Sequence, residues 1–535
     1  MRLIIQFLAL MAVLSSPAQA KWYEAQSDHF VIYADDSEKD VRRYAEMLER
    51  YHASLEFVTG RKIGVPSPSN RVTIFAVGSQ RDVQKLMGEG SRNVAGFYVP
   101  SAGGSRAFVQ DIRIKNGYPD ISTIVLLHEY AHHFLIASSR FARPRWLDEG
   151  AAEFFASAGF PIDGSVLIGR PAVHRAGELA YADEVTAEEL FDPELYERNK
   201  GRRYDAFYGR SWLLYHYLNF SEDRKGQLNA YQQRVIDGAS AIDAAREVFG
   251  DLHALELELD RYMKQRRMFT YNLKPEWIDP GMVTLRELPR GEAEMMPLRI
   301  KSQRGVNEEQ AAEIVAEART IAAKYPDDAG VQTALAEAEY DSGNDAAAIA
   351  AADRAIAIDP ARKNAYVQKG YALFHVAEDA EDRDAAYAAA MKPFGALNKL
   401  ENDHPLPLIY YYRSYTDRGM EPVENAKLAL ERAAMLAPFD QALWFQVGMM
   451  QATEGKIELA KLSIKPLAND PHGRRGTSPM KLIMAALERA EEGKPLDMSL
   501  FAKAISDNDK GGGDGDNEGD DESPVDPENE NAGEG

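Results

Sequence analysis

The sequence predicts an α+β domain, then an all-α solenoid of helical repeats, then a disordered acidic tail. Three observations carry this. Strand-like and helix-like stretches alternate through residues 21–118. Alanine-rich helical stretches with recurring prolines fill residues 307–490. Glycine and acidic residues crowd residues 505–535.

The chain starts "MRLIIQFLALMAVLSSPAQA": Arg2, an apolar run from Leu3 to Leu14, then Ala18-Gln19-Ala20. A charged start, a short apolar core and a small-x-small site read as a secretory signal peptide, residues 1–20, cleaved near Ala20. The run is too short for a membrane anchor, which needs about 20 apolar residues, and no later stretch supplies a span. The expected location is periplasmic or secreted. There is no cysteine, so neither a disulfide nor a lipid-modified cysteine is available, and stability must come from apolar cores. The remaining length suggests about two to four domains.

In the lead-in, "HFVIYA" and "RVTIFAV" read as strands, and "DVRRYAEMLERYHASLEFV" has helical spacing at Val41, Tyr44, Leu48, Tyr51 and Leu55. "GRKIGVPSPSN" is a turn-rich break, and "QRDVQKLMG" reads as a short helix. "NVAGFYVP" and "RAFVQDI" form an expected strand pair across Ser101 to Ser105, whose two glycines suit a mobile lid. Asp120 is an expected N-cap for "ISTIVLLHEYAHHFLIASS", and Pro144 an expected first-turn residue for "ARPRWLDEGAAEFFAS". "AFYGRSWLLYHYLNF" reads as a further helix, closing a helical part over 119–275. "VTLREL" and "AEMMPLRI" suggest a β-hairpin linker within 276–306.

Beyond residue 307, Pro326 to Pro360 spans 34 residues, and Pro405 to Pro438 and Pro438 to Pro471 span 33 each. Ala348 and Ala355 hold the same offsets before Pro360 as Ala426 and Ala433 before Pro438. Small residues let paired helices cross closely, and each proline ends a unit. This pattern over 307–490 resembles tetratricopeptide repeats, which implies a protein partner. The Pro360 to Pro405 interval is 45, so one unit carries an insertion.

The net charge is −22, and residues 507–535 hold twelve acidic residues against one lysine. That tail has no core to bury and is expected to be disordered. Asp514, Asp516, Glu518 and Gly519 mimic the start of a calcium loop, but Val525 stands where its bidentate glutamate belongs. Net acidity without a basic stripe argues against nucleic acid.

"LLHEYAHHFL" carries the chemistry. His128 and His132 are four apart, so on a helix both imidazoles share a face and can converge on one ion. Glu129 adjoins them and can act on a water at that ion. His133 points about 100° away from His132, and His174 and His216 lie off the motif. Zinc needs a third protein ligand, and Glu149 in "WLDEGAAEFF" offers one, with sixteen residues between it and His132. "HEYAH…WLDEGAAEF" resembles the "HExxH…WLNEGFA" signature of the peptidase MA-like gluzincins, which include the aminopeptidase N family. That family usually leaves a slightly longer gap.

The resemblance covers residues 120–220 and implies a zincin-like catalytic domain over 21–275. It implies one zinc per chain on His128, His132 and Glu149, with Glu129 as base. "YGRSWLLYHYL" resembles the family's "YEKGFALLFYL", whose leading tyrosine donates to the oxyanion; here that is Tyr208, with Tyr204 one turn earlier as its competitor. Glu153 and, more weakly, Asp148 can orient a ligand histidine.

The "GxMEN" motif of the aminopeptidases is missing from "NVAGFYVPSAGGSRAFVQD". The expectation is therefore an endopeptidase on peptide or protein substrates, an extended peptide pairing along residues 93–110. The alternative is an inactive exported adaptor acting through its repeats. A relic should have lost one of these site residues, and all are present.

Overall fold

The computed structural model describes residues 21–497, apart from 89–93, 115–116, 140, 202–203 and 469–478. The expected signal peptide and acidic tail, with its calcium-like stretch, lie outside the described residues.

The first half is built on a mixed sheet. Strands β1 (Trp22–Gln26) and β2 (Phe30–Asp35) pair antiparallel and lead into helix α1 (Glu38–Thr59). β3 (Val72–Ala76) precedes α2 (Gln80–Met87); β4 (Gly96–Val99) and β5 (Arg106–Val109) follow as the expected pair. β2–β3 and β3–β5 run parallel. Next come α3 (Ile121–Ser138) and α4 (Arg145–Ala156), then the short β6 (Val166–Ile168). Pro144 sits just before α4 rather than in its first turn. The helices α5 (Ala176–Tyr181), α6 (Ala187–Phe191), α7 (Pro193–Asn199), α8 (Phe207–Phe220), α9 (Gln227–Ile236), α10 (Ala241–Phe249) and α11 (Leu252–Met263) complete this part. β7 (Tyr271–Leu273) returns to pair with β6.

Strand β8 (Thr284–Glu287) corrects the expected hairpin. It pairs with β1, giving the sheet order β4-β5-β3-β2-β1-β8. "AEMMPLRI" lies in helix α12 (Arg290–Arg304), not in a second strand. Met296 and Ile300, one helical turn apart, are buried in one cluster with Tyr33, Phe75 and Phe108 of the sheet. That face fits helical period, not alternation. Residues 276–306 are therefore no free linker: β8 completes the sheet, and α12 packs on the sheet through Met296 and Ile300 and on the helices that follow through Met295 and Leu298.

Alternation explains both layers on the sheet. Phe30, Ile32, Val72, Ile74, Ala107 and Val109 are buried with α1, α3 and α4 in the main core. Their neighbours Tyr33, Phe75 and Phe108 face α12. Both faces are covered, so the strands read as nearly continuous apolar runs.

A series of helix pairs follows: α13 (Glu308–Lys324), α14 (Ala329–Asp341), α15 (Asp345–Ile358), α16 (Lys363–Glu378), α17 (Arg383–Leu400), α18 (Pro405–Thr416), α19 (Glu424–Leu436), α20 (Gln441–Thr453), α21 (Ile457–Ala468) and α22 (Pro479–Arg489). Each helix packs on the next, as in a stacked repeat. Ala348, Ala355, Ala426 and Ala433 are all fully buried, as their matching offsets predict. The long Pro360 to Pro405 interval holds longer helices: α16 has 16 residues and α17 has 18.

The two halves are joined along their length. Ser69 donates from its backbone N–H (2.9 Å) and its hydroxyl (3.0 Å) to Glu401. Asn70 donates to the Leu436 carbonyl at 3.1 Å. The 101–105 loop does not hang free as a lid: Ala102 is buried in the repeat core beside Leu430, Ala433 and Phe439. Its N–H donates to Asp440 at 2.9 Å. Gly103 adopts φ +78°, and a Cβ there would lie 2.9 Å from Leu406, so the close approach explains the glycine.

Candidate metal centre

Helix α3 begins where Asp120 accepts from the Thr123 N–H at 2.8 Å, satisfying an end donor that has no intrahelical partner. Helix α1 braces it from behind: the Tyr51 hydroxyl donates to the Leu127 carbonyl at 2.8 Å, one residue before His128. α4 is drawn close to α8 because residue 150 is glycine; a Cβ there would sit 2.4 Å from the Ser211 carbonyl oxygen. This contact sets Glu149 beside the two histidines and brings the start of α8, with Tyr208, near them.

Nε2 of His128 and Nε2 of His132 lie 3.1 Å apart. Each is 3.4 Å from the same oxygen, Oε2 of Glu149. All three residues are buried, Glu149 completely. Tetrahedral zinc with bonds of about 2.0–2.1 Å requires ligand atoms about 3.3 Å apart. The triangle has that size, and these three residues form a group able to hold a metal.

The other imidazole nitrogens face carboxylates. His132 Nδ1 lies 3.2 Å from Asp148, and His128 Nδ1 lies 3.0 Å from Glu153. A proton held at each Nδ1 leaves Nε2 free to donate its lone pair to a common point. Asp148 and Glu153, expected to orient the histidines, are therefore brought into that position, one histidine each. Glu153 is itself tied at 2.6 Å to His174 and at 2.6 Å to Arg175. Burial works against its charge, but Arg175 and His174 hold its carboxyl well below the usual range.

The carboxylates also act on the imidazoles electrostatically. Burial opposes charging His128, yet Glu149 and Glu153 outweigh it and push its pKa up to about 9. Asp148 and Glu149 likewise outweigh burial at His132 and hold its pKa well above the usual imidazole value. Arg175 and His174 answer Glu153 and Arg143 lies 3.7 Å from Asp148, so Glu149 is the carboxylate whose oxygen is directed at both imidazoles.

Glu129, on the same helix, is half-buried and lines the cavity above the triad. The Tyr208 ring lies 6.4 Å from that of His128. Arg175 and Arg145 sit over the Tyr208 ring, at 4.7 and 5.9 Å. Tyr204 is 45% exposed and donates to Glu178 at 3.0 Å, so of the two tyrosines Tyr208 is the one set against the site. His133 turns aside, accepting from or donating to the Tyr98 hydroxyl at 2.7 Å. His216 is a packing residue between Tyr262 and the Gly169 carbonyl.

Sequence reasoning passed over His174 as an ordinary histidine and did not single out Arg175. The signal available was indirect: a buried acidic surplus needs cationic partners. The cavity wall contributed by Phe439, Asp440 and Trp444 of the repeats had no local signal at all.

No protein-family model matches this chain, and no curated protein matches it. Among solved structures it is similar to TTC0263, a thermophilic TPR protein of Thermus thermophilus, at 14% identity and TM-score 0.30, over 37% of this chain and 99% of that one. It is also similar to MamA, at 16% identity and TM-score 0.26, over 34% of this chain and 95% of that one. Neither likeness touches metal binding or hydrolysis.

Proposed function

We propose that the chain is an exported, zinc-dependent endopeptidase. The observation that supports it most is the buried triangle of His128 Nε2, His132 Nε2 and Glu149 Oε2, with sides of 3.1–3.4 Å. One zinc ion held by those atoms would supply Lewis-acid polarisation of the scissile carbonyl and acidify a water.

The chain's own residues do the rest. Asp148 and Glu153 fix the two imidazoles. Glu129 takes the proton from the attacking water and passes it to the leaving amine nitrogen. Tyr208, held by Arg145 and Arg175, donates its hydroxyl hydrogen to the oxyanion as charge develops there. β4 is the edge of the sheet and its Gly96, Phe97 and Tyr98 line the same cavity. A substrate in extended form can pair along it as an added strand.

The second reading is an adaptor whose repeats alone act. It draws support from the helix pairs over 290–489, with Leu428, Met435 and Leu459 exposed on them. One substitution separates the two. Glu129→Gln should keep metal and fold yet lower peptide cleavage by about 10³-fold. Cleavage at the wild-type rate in that variant would overturn the peptidase reading, and an unchanged cellular phenotype would favour the adaptor.

A further inference from the structure

The triad opens into a cavity of about 700 Å³, and only part of its wall comes from the first half. The edge strand β4 lines one side, and His128, Glu129, His132 and His133 line the floor. The opposite wall belongs to the repeats: Phe439, Trp444, Leu462 and Leu467, from the turn before α20 and from α20 and α21. The contact between floor and wall is direct, since the His133 ring stacks on Phe439 at 4.3 Å.

Asp440 and Trp444, polar groups of that wall, are already engaged. Asp440 accepts from the Ala102 N–H and caps α20 through the Leu443 N–H, both at 2.9 Å. The Trp444 indole N–H donates to the Pro438 carbonyl at 3.0 Å, which fixes the ring. What this wall offers a ligand is apolar surface, with Leu462 66% exposed. Such a surface left in water beside a polar catalytic floor gains most from an apolar side chain.

We infer that α20 and α21 form the side-chain subsite of this enzyme, and that its substrate is an unfolded polypeptide with a large apolar residue adjoining the cleaved bond. The inference rests on the peptidase reading. A strand added to β4 turns alternate side chains to opposite faces, so a residue next to the scissile bond can reach across to the repeats. The repeats are then a part of the catalytic cleft rather than a separate recruiting arm. The burial of Ala102 in the repeat core holds that wall in register with β4.

The test uses the mature full-length chain and fluorescein-labelled peptides of about ten residues. Each has a Gly/Ser/Ala background with one Leu, Phe, Ala, Asp or Lys. Wild-type cleavage should favour Leu and Phe over Ala by about 10- to 100-fold in kcat/KM. Leu462→Asp, at an exposed position, should bring that ratio towards one with zinc content unchanged, while Leu462→Met should preserve it. Equilibrium binding of the same peptides to the Glu129→Gln chain is read in parallel by anisotropy. Cleavage without apolar preference, or a preference untouched by both Leu462→Asp and Trp444→Ala, overturns the subsite and leaves the hydrolase standing. Apolar-selective binding lost in Leu462→Asp, without cleavage by any form, upholds the subsite and overturns the hydrolase. Neither binding nor cleavage overturns both.

Discussion

Two cavities open between the same two halves of the chain, and the larger one is not the better candidate site. The cleft over His128 and His132 measures about 700 Å³ and the other about 1050 Å³. In the larger cavity the charges answer one another. Arg286 bridges Glu24 at 2.7 Å and Glu292 at 3.1 Å, Arg362 lies 3.4 Å from Glu292, and Arg299 rests over the Tyr33 ring at 4.6 Å. In the cleft, three ligand atoms converge on one point, each histidine backed by its own carboxylate. The difference lies in where the charges are aimed. Pairs that neutralise each other cement an interface, whereas donors that share a focus could hold a metal ion.

Glu337, in the larger cavity, gives the sharpest way to break this comparison. Burial and the nearby Asp341 push its carboxyl up to about 7, against the pull of Arg106 and Arg299. The folded chain then keeps a proton that the unfolded chain releases. Stability contributed by that proton is present below about pH 4.5 and is lost as pH rises towards about 7. Glu337→Gln should remove this slope and, at pH 8, stabilise the fold by up to about 3 kcal/mol, read from denaturant midpoints between pH 4.5 and 8. Metal content should not change. A variant that tracks the wild type at every pH would mean that Glu337 is charged and paired like its neighbours. A variant that loses metal would join the two cavities into one site.

A smaller effect is expected on the cleft side. Glu153→Gln keeps the shape but removes the charge that meets His128, His174 and Arg175. Zinc affinity should fall about 10- to 100-fold, measured by competition with a chelator. An unchanged affinity would make Glu153 merely a buried structural anion, no different in kind from Glu292.

How much of this was legible follows from the range of each interaction. The His128–His132 pair could be read because four residues make about one helical turn, and Glu149 because it lies in the next helix within a recognisable stretch. The repeats were legible because proline and alanine recur at a fixed period. Ala348 and Ala426 are buried where that period puts them. Pairings between distant segments left no local trace. β8 joins β1 across more than half the first domain's length, and α12 reads as a strand until Tyr33, Phe75 and Phe108 are seen to cover its helical face. His174 and Arg175 look like two ordinary polar residues until Glu153 is buried against them. The glycines at 103–104 suggest mobility in isolation, yet Gly103 is needed because Leu406 leaves no room for a side chain.

The most direct measurement is the zinc content of the purified mature chain beside a Glu149→Ala form, by elemental analysis after dialysis against zinc at neutral pH. About one zinc per chain, lost or much weakened in the variant, is expected if His128, His132 and Glu149 form a three-residue site whose fourth position is open to water. A wild-type chain that takes up no zinc, or a variant that holds it equally well, would contradict the metal centre and the hydrolysis proposed from it.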